Sequence, residues 1–436
     1  MNNTNRDVSR DGSASVEIAS QTQPPPPHHD PYLALRFRDY RLLFSGAFLA
    51  VLGEQMIVVA IGWELYERTG SALALGLVGL AQILPVIALA LIAGHVADRF
   101  NRKRIAALTQ IVLAAGSLGL AVVSFLHGPI ILMYACLLGI GTAVAFNNPA
   151  VSALPAQILP EYAFENAATW NSSSWQLASV LGPALGGLLI AVFHGTALVY
   201  VLNALTEVLF VGLLLPIKVQ RREVAKAPSE ENTTLQTLGE GIGFLRRTPV
   251  MLAAITLDLF AVLFGGATTL LPVFATNILH VGPEGLGWLR AAPSVGAVCM
   301  ALVLAHRPPF KRAGRTLLIA VAGFGIATII FGVSRSFWLS LFMLFLLGGL
   351  DNISVIIRGT LTLTRTPDEM RGRVAAINNL FVSSSNELGG FESGLTAQLF
   401  GPTISVVGGG IGTILVVLAI ALVWPELRRL RTLRGE

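Results

Sequence analysis

Apolar residues in this chain come in long, nearly unbroken runs, unlike the alternation of a strand or the one-sided stripe of a surface helix. About 20 apolar residues coiled as a helix match the hydrocarbon thickness of a bilayer. Twelve such runs are legible, at roughly 42–67, 73–96, 105–126, 129–157, 166–193 and 196–217, then 249–279, 284–305, 316–334, 337–363, 371–399 and 402–424. Each is expected to be helical, because lipid offers the backbone no hydrogen-bond partners. The pattern predicts an all-α polytopic membrane protein with 12 transmembrane helices, divided by a charged linker. The segments are a disordered tail over 1–40, a six-helix bundle over 41–217, the linker over 218–248, a second six-helix bundle over 249–424 and a basic tail over 425–436. The tail is too poor in apolar residues to fold, and its Pro run favours extended chain. Asn147, Asn148 and Pro149 predict an interruption of the fourth helix, where freed carbonyls would contact substrate.

The stretch GHVADRFNRKR, Gly94–Arg104, reads as a very short turn between the second and third spans, and it carries four cations. Such a loop belongs on the cytoplasmic side. Asp98 and Arg102 are spaced to pair on one helical turn, and Gly94 lets two backbones approach. Of the 30 Lys and Arg, Arg68 and Arg335 fall in loops on the opposite side, Arg290 and Arg358 fall within spans, and the rest are cytoplasmic when both termini lie inside. The excess of base therefore serves topology, and no nucleic-acid partner is expected. Composition agrees with a membrane protein, at 53% hydrophobic and 13% charged residues. The first forty residues hold no apolar core of a signal peptide. Cys136 and Cys299 both lie in apolar runs, so a disulfide framework is not expected. The seven His residues include no metal-spaced pair, and there is neither a G-x-S-x-G elbow nor a G-x-x-x-x-G-K-[ST] phosphate loop. The chain is expected not to be an enzyme, to carry no cofactor or metal, and to draw on an ion gradient.

The two halves echo each other. Pro160 aligns with Pro367, Asn171 with Asn378, Leu181 with Leu388, Gly182 with Gly389 and Gly187 with Gly394, all at one shared offset. Six-helix units repeated in this way mark transporters with a site between the halves.

The order G-x-x-x-D-R-x-x-R-[KR], here Gly94, Asp98, Arg99, Arg102 and Lys103 followed by Arg104, resembles the signature loop of the major facilitator superfamily of secondary transporters. Asn101 departs from the residue usual at its place. GPALGG, with Gly182, Pro183, Gly186 and Gly187, resembles the end of that superfamily's antiporter motif, although Thr169 and Ala178 replace two earlier glycines. With GWELYERTGSALALGLVGLAQILP and LPEYAFENA, the chain is similar to the branch holding the enterobactin exporter and macrolide efflux proteins. The resemblance implies alternating access in the inner (cell) membrane and proton-driven export of a hydrophobic or amphipathic small molecule, siderophore- or drug-like. It also implies a cytoplasmic gate in which Asp98, near the start of the eleventh helix, meets Arg102, Arg371 or Arg373. Flipping of lipid or lysolipid, and uptake by symport, use the same fold and remain alternatives. A monomer is expected.

Proton coupling needs a carboxyl that titrates inside the membrane. Glu54, Asp258, Asp351 and Glu387 lie about 14 to 22 Å along their spans at the helical rise. The resemblance places the first, fourth, seventh and tenth helices around the cavity, which favours Glu54, Asp258 and Asp351, and makes Arg358 a cavity candidate or a partner of Asp351. Glu207, on a peripheral helix, reads as a packing group. Arg290 reads as a snorkelling side chain. The fourth helix lacks the Arg that drug antiporters of the superfamily often carry there.

Overall fold

The computed structural model describes residues 30–219, 243–308 and 310–431. Among the described residues the long elements are all helices. The first half holds α1 (Arg38–Thr69), α2 (Ala72–Arg99), α3 (Arg102–Phe125), α4 (Ile130–Ser152), α5 (Phe164–Phe193) and α6 (Ala197–Leu214). The second holds α7 (Pro249–Phe264), α8 (Gly282–Ala305), α9 (Ala313–Val333), α10 (Phe337–Arg365), α11 (Asp368–Phe400) and α12 (Pro402–Val423). Among the described residues 11 helical segments are long and apolar enough to cross a membrane; α11 is the polar exception, and it lies at the interface between the halves.

The outer surface is apolar, unlike that of a water-soluble bundle, and some polar groups lie inside. On α3, Leu118 and Val122 are exposed while Gln110 and Ser117 are buried. Apolar residues therefore face lipid, and polar groups find partners inside.

Several boundaries differ from the sequence reading. The stretch around Gly94–Arg99 is not a turn: α2 continues to Arg99, and Phe100 and Asn101 alone separate it from α3. So tight a junction is possible because Asn101 caps α3, its Oδ1 accepting from the backbone N–H of Lys103 at 3.0 Å and of Arg104 at 3.3 Å. A Cβ at Gly94 would meet nothing within 4 Å, so this glycine serves no close approach here. The expected interruption of α4 at Pro149 is also absent. The helix runs on to Ser152 and breaks before Pro155, as membrane helices tolerate an internal proline. The seventh span is broken instead of continuous: α7 stops at Phe264, a 3₁₀ segment covers Gly266–Leu270, and a π-turn covers Phe274–Ile278. Gly265, Gly266 and Pro272 supply the reason, being the poorest helix formers in the span. Residues 30–40, which the sequence assigns to the tail, are folded: the Pro31 carbonyl accepts from Trp170 Nε1 at 2.9 Å, and Asn166 Oδ1 accepts from the Ala34 N–H at 2.9 Å. Of the predicted linker, residues 220–242 lie outside the described residues.

The halves meet along two seams, α5 against α8 and α2 against α11. Both are closest at the end remote from Arg99–Arg104, called here the far end. A Cβ built on Gly187 would lie 2.9 Å from the Gly287 Cα, and one on Gly394 would lie 2.9 Å from the Gly76 Cα. Gly187 and Gly394 occupy matching places in the sequence repeat. So do Gly182, which packs on α1, and Gly389, which packs on α7. The repeat therefore preserves contacts as well as residues. Hydrogen bonds extend the far-end seal, from Asn277 Nδ2 to Tyr66 OH at 2.6 Å and from Ser71 Oγ to Gln398 Oε1 at 3.0 Å. Toward the basic end the seams part, and α5 exposes Asn171, Ser172 and Ser173.

These glycine contacts leave no room for a side chain. Gly187→Leu should therefore bias the protein toward far-end opening by about 1.4 kcal/mol or more, a tenfold population shift. In protein with Cys136 and Cys299 replaced by Ser, a Thr269→Cys probe behind the seal should react about tenfold faster with an impermeant maleimide applied from the far side. An unchanged rate would show that the contact is not the seal.

Candidate transport cavity

A cavity of about 150 Å³ lies just inside the seal, between α1 and α2 of one half and α8, α11 and the broken seventh span of the other. Its walls are largely aliphatic, including Val58, Val78 and Leu286, with Gln82 and Thr269 as neutral polar groups. It also holds one pair of opposite charges, Arg290 from α8 and Glu387 from α11. Three local features position them. The 3₁₀ segment that follows α7 presents the Thr268 carbonyl, which accepts from the Leu271 N–H, and Arg290 Nη1 also donates to it at 3.0 Å. Gly79 makes the room that Glu387 occupies, since the carboxylate lies where a side chain on α2 would project. α8 and α11 are also the helices that form the two main seams with the first half. The charged pair is thus built into the elements that form the interface.

The sequence reading of Arg290 as a snorkelling group needs correction. It is tied to Thr268 inside the protein because the helix break presents an acceptor at the right level. Among the four candidate acids, Glu387 lines this cavity. Glu54 is exposed on α1, one residue from Gly53 at the α1–α6 contact. Asp258 is buried within the second half, its Oδ2 2.5 Å from Arg358 Nη1, and Arg358 Nε donates to Ser354 Oγ at 3.2 Å. Asp351 joins Asp258 and Ser354 around a much smaller space. Arg358 is thus not a cavity residue, and its ion-pair partner is Asp258. Asp351 lies two turns away on the same helix, whereas α7 brings Asp258 directly alongside.

Asn147 is likewise turned away from the cavity. Its Oδ1 accepts from Thr109 Oγ1 at 3.0 Å and Gln110 Nε2 at 3.3 Å, joining α4 to α3. Asn148 is exposed. In GPALGG, Gly182 and Gly186 pack on α1, while Gly187 and the Pro183 carbonyl meet Gly287 of α8, so the motif sits where three helices converge.

At the basic end, Arg99 and Arg104 are exposed, and Arg102 Nε donates to the Ala97 carbonyl at 3.1 Å. Lys103 Nζ donates to the carbonyls of Leu215 at 2.7 Å and Ile217 at 2.8 Å, placing a cation at the C-terminus of α6. The side chains of Asp98, Arg371 and Arg373 lie outside the described residues.

Another cluster escaped the sequence reading. Arg68, which the sequence assigns to a loop, pairs with Glu64 at 3.1 Å and reaches the Gly128 carbonyl, while Thr196 Oγ1 donates to Glu64 Oε2 at 2.6 Å. The four-residue spacing of Glu64 and Arg68 was the available signal.

The sequence matches the family described as transmembrane secretion effectors over residues 30–432. It is 27% identical over 400 residues to the multidrug efflux pump Tap of Mycolicibacterium fortuitum, covering 89% of this chain and 96% of that one. It is 27% identical over 394 residues to the enterobactin exporter EntS of Citrobacter koseri, covering 90% and 93%. Among solved structures, it resembles a bacterial homologue of the human lysosomal transporter Spinster in an inward-facing and occupied conformation, with TM-score 0.71 and 14% identity, covering 92% and 99%. It also resembles the nucleoside transporter NupG, with TM-score 0.67 and 12% identity, covering 88% and 98%. At those identities the structures speak for the fold, and the fold is the twelve-helix one that the repeat and the seams describe. With the family match spanning nearly all of its length, this chain belongs to the transmembrane secretion effectors of the major facilitator superfamily, and it is a multi-pass secondary transporter.

Proposed function

We propose that the chain exports a hydrophobic or amphipathic small molecule in exchange for protons, by alternating access across the cell membrane with both termini in the cytoplasm. The observation that carries this reading is the Arg290–Glu387 pair in the cavity between the halves. An ionised Glu387 attracts Arg290 and draws α11 toward α8. Protonation abolishes the attraction and leaves Arg290 tied to Thr268 alone. Because α8 and α11 form the two seams, a proton arriving at this one site alters both contacts that close the far end. The aliphatic walls suit an apolar cargo, and the concentration of base at Arg99–Arg104 puts that end in the cytoplasm. Export agrees in kind with what Tap and EntS are described as doing. The other acids have different parts. Glu54 stands at the surface of α1, and the Asp258–Arg358 pair with Asp351 braces the second half from within.

When the far end opens, the basic end must close. The residue order there supports a lock in which Asp98 meets Arg102, Arg371 or Arg373.

In proteoliposomes holding an internal pH dye, enterobactin, a macrolide or tetraphenylphosphonium should drive proton movement that Glu387→Gln abolishes, while Glu387→Gln still binds the compound. Coupling that survives Glu387→Gln would assign the proton to another acid. Movement of labelled lysolipid without proton flux would favour the flippase alternative. Asp98→Asn should reduce transport at least about tenfold with insertion and folding intact, as expected for loss of a charge-assisted contact of about 1.5 to 3 kcal/mol. A fully active Asp98→Asn protein contradicts the lock.

A further inference from the structure

Away from the cavity, the first half contains a seam of buried polar groups that the exchange described above does not use. α3 contributes Gln110, Ser117 and Ser124, spaced seven residues apart and so on one face. Facing them is a row in steps of four, three and four, formed by Thr196 at the cap of α6 and by Tyr200, Asn203 and Glu207 within it. The outer surfaces of these two helices are apolar and exposed, with Leu118 and Val122 on one and Leu205 and Val208 on the other. The polar row is therefore an internal feature of a bundle surrounded by lipid.

Two hydrogen bonds join the facing rows. Ser124 Oγ and Thr196 Oγ1 are 2.9 Å apart, and Asn203 Nδ2 donates to Ser117 Oγ at 2.8 Å. At the far end the row reaches Glu64 and Arg68 through Thr196. Toward the middle of the membrane it ends at Glu207, 4% exposed. Glu207 lies one turn from Asn203, beside the point where Gly53 of α1 packs on Asn203 and Thr206. The next residue of α1 is Glu54, and its charge acts on Glu207. From α3 the seam presents neutral side chains, so Glu54 is the titratable group that faces Glu207 among the described residues.

The hydrogen-bond inventory of this seam does not close. Gln110 Oε1, Asn203 Oδ1, Glu207 Oε2 and the Tyr200 hydroxyl are all buried without a partner. The amide nitrogens of Gln110 and Asn203 are already engaged, which fixes their oxygens as the free ends. Three of the four unfilled positions are acceptors and one hydrogen, that of the Tyr200 hydroxyl, is free to meet them, so the seam is short of hydrogens. A carboxylic acid at Glu207 supplies one, whereas a carboxylate adds another unpaired acceptor. An ionisable group so placed is costly to keep for packing alone.

We propose that Glu207 is a proton-carrying site of the first half, exchanging its proton with Glu54 and supplied from the far end along the α3–α6 seam. In the exchange, the Glu207 O–H bond breaks and an O–H bond forms on the Glu54 carboxylate, so the pair keeps one proton and one negative charge. Its use in transport rests on the proton-coupled reading above, but its detection does not. A purely packing role would need only hydrogen-bonding capacity at position 207, which glutamine retains.

The test is infrared spectroscopy of the full chain in lipid at neutral pH. The protein should show the carbonyl stretch of a buried carboxylic acid, this band should vanish in Glu207→Gln, and it should shift in the exposed Glu54→Gln variant. A protein without that band, or a band that persists in Glu207→Gln, overturns the site. A band that does not move in Glu54→Gln overturns the exchange even if Glu207→Gln fails to fold. In proteoliposomes, Glu207→Gln should lose tetraphenylphosphonium accumulation driven by a pH gradient and keep exchange at equal pH. If the unaltered protein moves no proton while the band behaves as stated, the site stands and the export reading fails.

Discussion

Backbone-to-backbone approach at the far end is the contact on which the rest of the architecture depends. In a bilayer, two helices gain nothing by hiding apolar side chains from a solvent that is itself apolar, so close packing between small residues must hold an interface together. Gly187 on Gly287 and Gly394 on Gly76 provide it twice, once on each seam. Gly187 and Gly394 hold matching places in the repeat, and each meets a glycine of the other half, so neither half closes the far end alone. Contacts this tight are either made or broken, because packed surfaces do not deform continuously. That property suits a gate with two states.

Behind the seal, polar chemistry is placed by irregularity. Gly265, Gly266 and Pro272 break the seventh span, and the Thr268 carbonyl of the 3₁₀ turn formed there holds Arg290. Gly79 opens space for Glu387 on the opposite side. The second half secures its other charges internally through Asp258 and Arg358, and the first half does so through Glu64 and Arg68. Each of these charges has a partner, a backbone carbonyl or a place in the cavity, as a low-dielectric surrounding demands.

The spans, the division into halves and the repeat were legible in the sequence because lipid imposes one requirement, apolar length, on every segment. The small-residue motifs were legible for the same reason, since glycine at spaced positions has few other uses in a membrane helix. Pairings were not. Periodicity says which face a residue occupies, but not which helix lies opposite, so spacing offers Asp351 on the same helix as a partner for Arg358, whereas Asp258 crosses from α7. Asn147, beside Pro149, reads as a substrate contact and instead joins α4 to α3. The signature stretch around Arg99 looked like a loop because it is charged, yet a single Asn101 cap lets helix run almost throughout. The break in the seventh span did have a written signal in its paired glycines and proline.

The central claim is that opening at one end requires closure at the other. It is tested most directly by electron–electron double resonance in lipid nanodiscs. One pair of spin labels would be placed at the exposed positions Tyr162 and Arg307, which belong to different halves at the basic end, and another at the exposed positions Phe193 and Glu284 at the far end. The account predicts two populations that trade places with pH, the basic-end distance shortening as the far-end distance lengthens. Distances that change together, or a far-end distance that never changes, would contradict it.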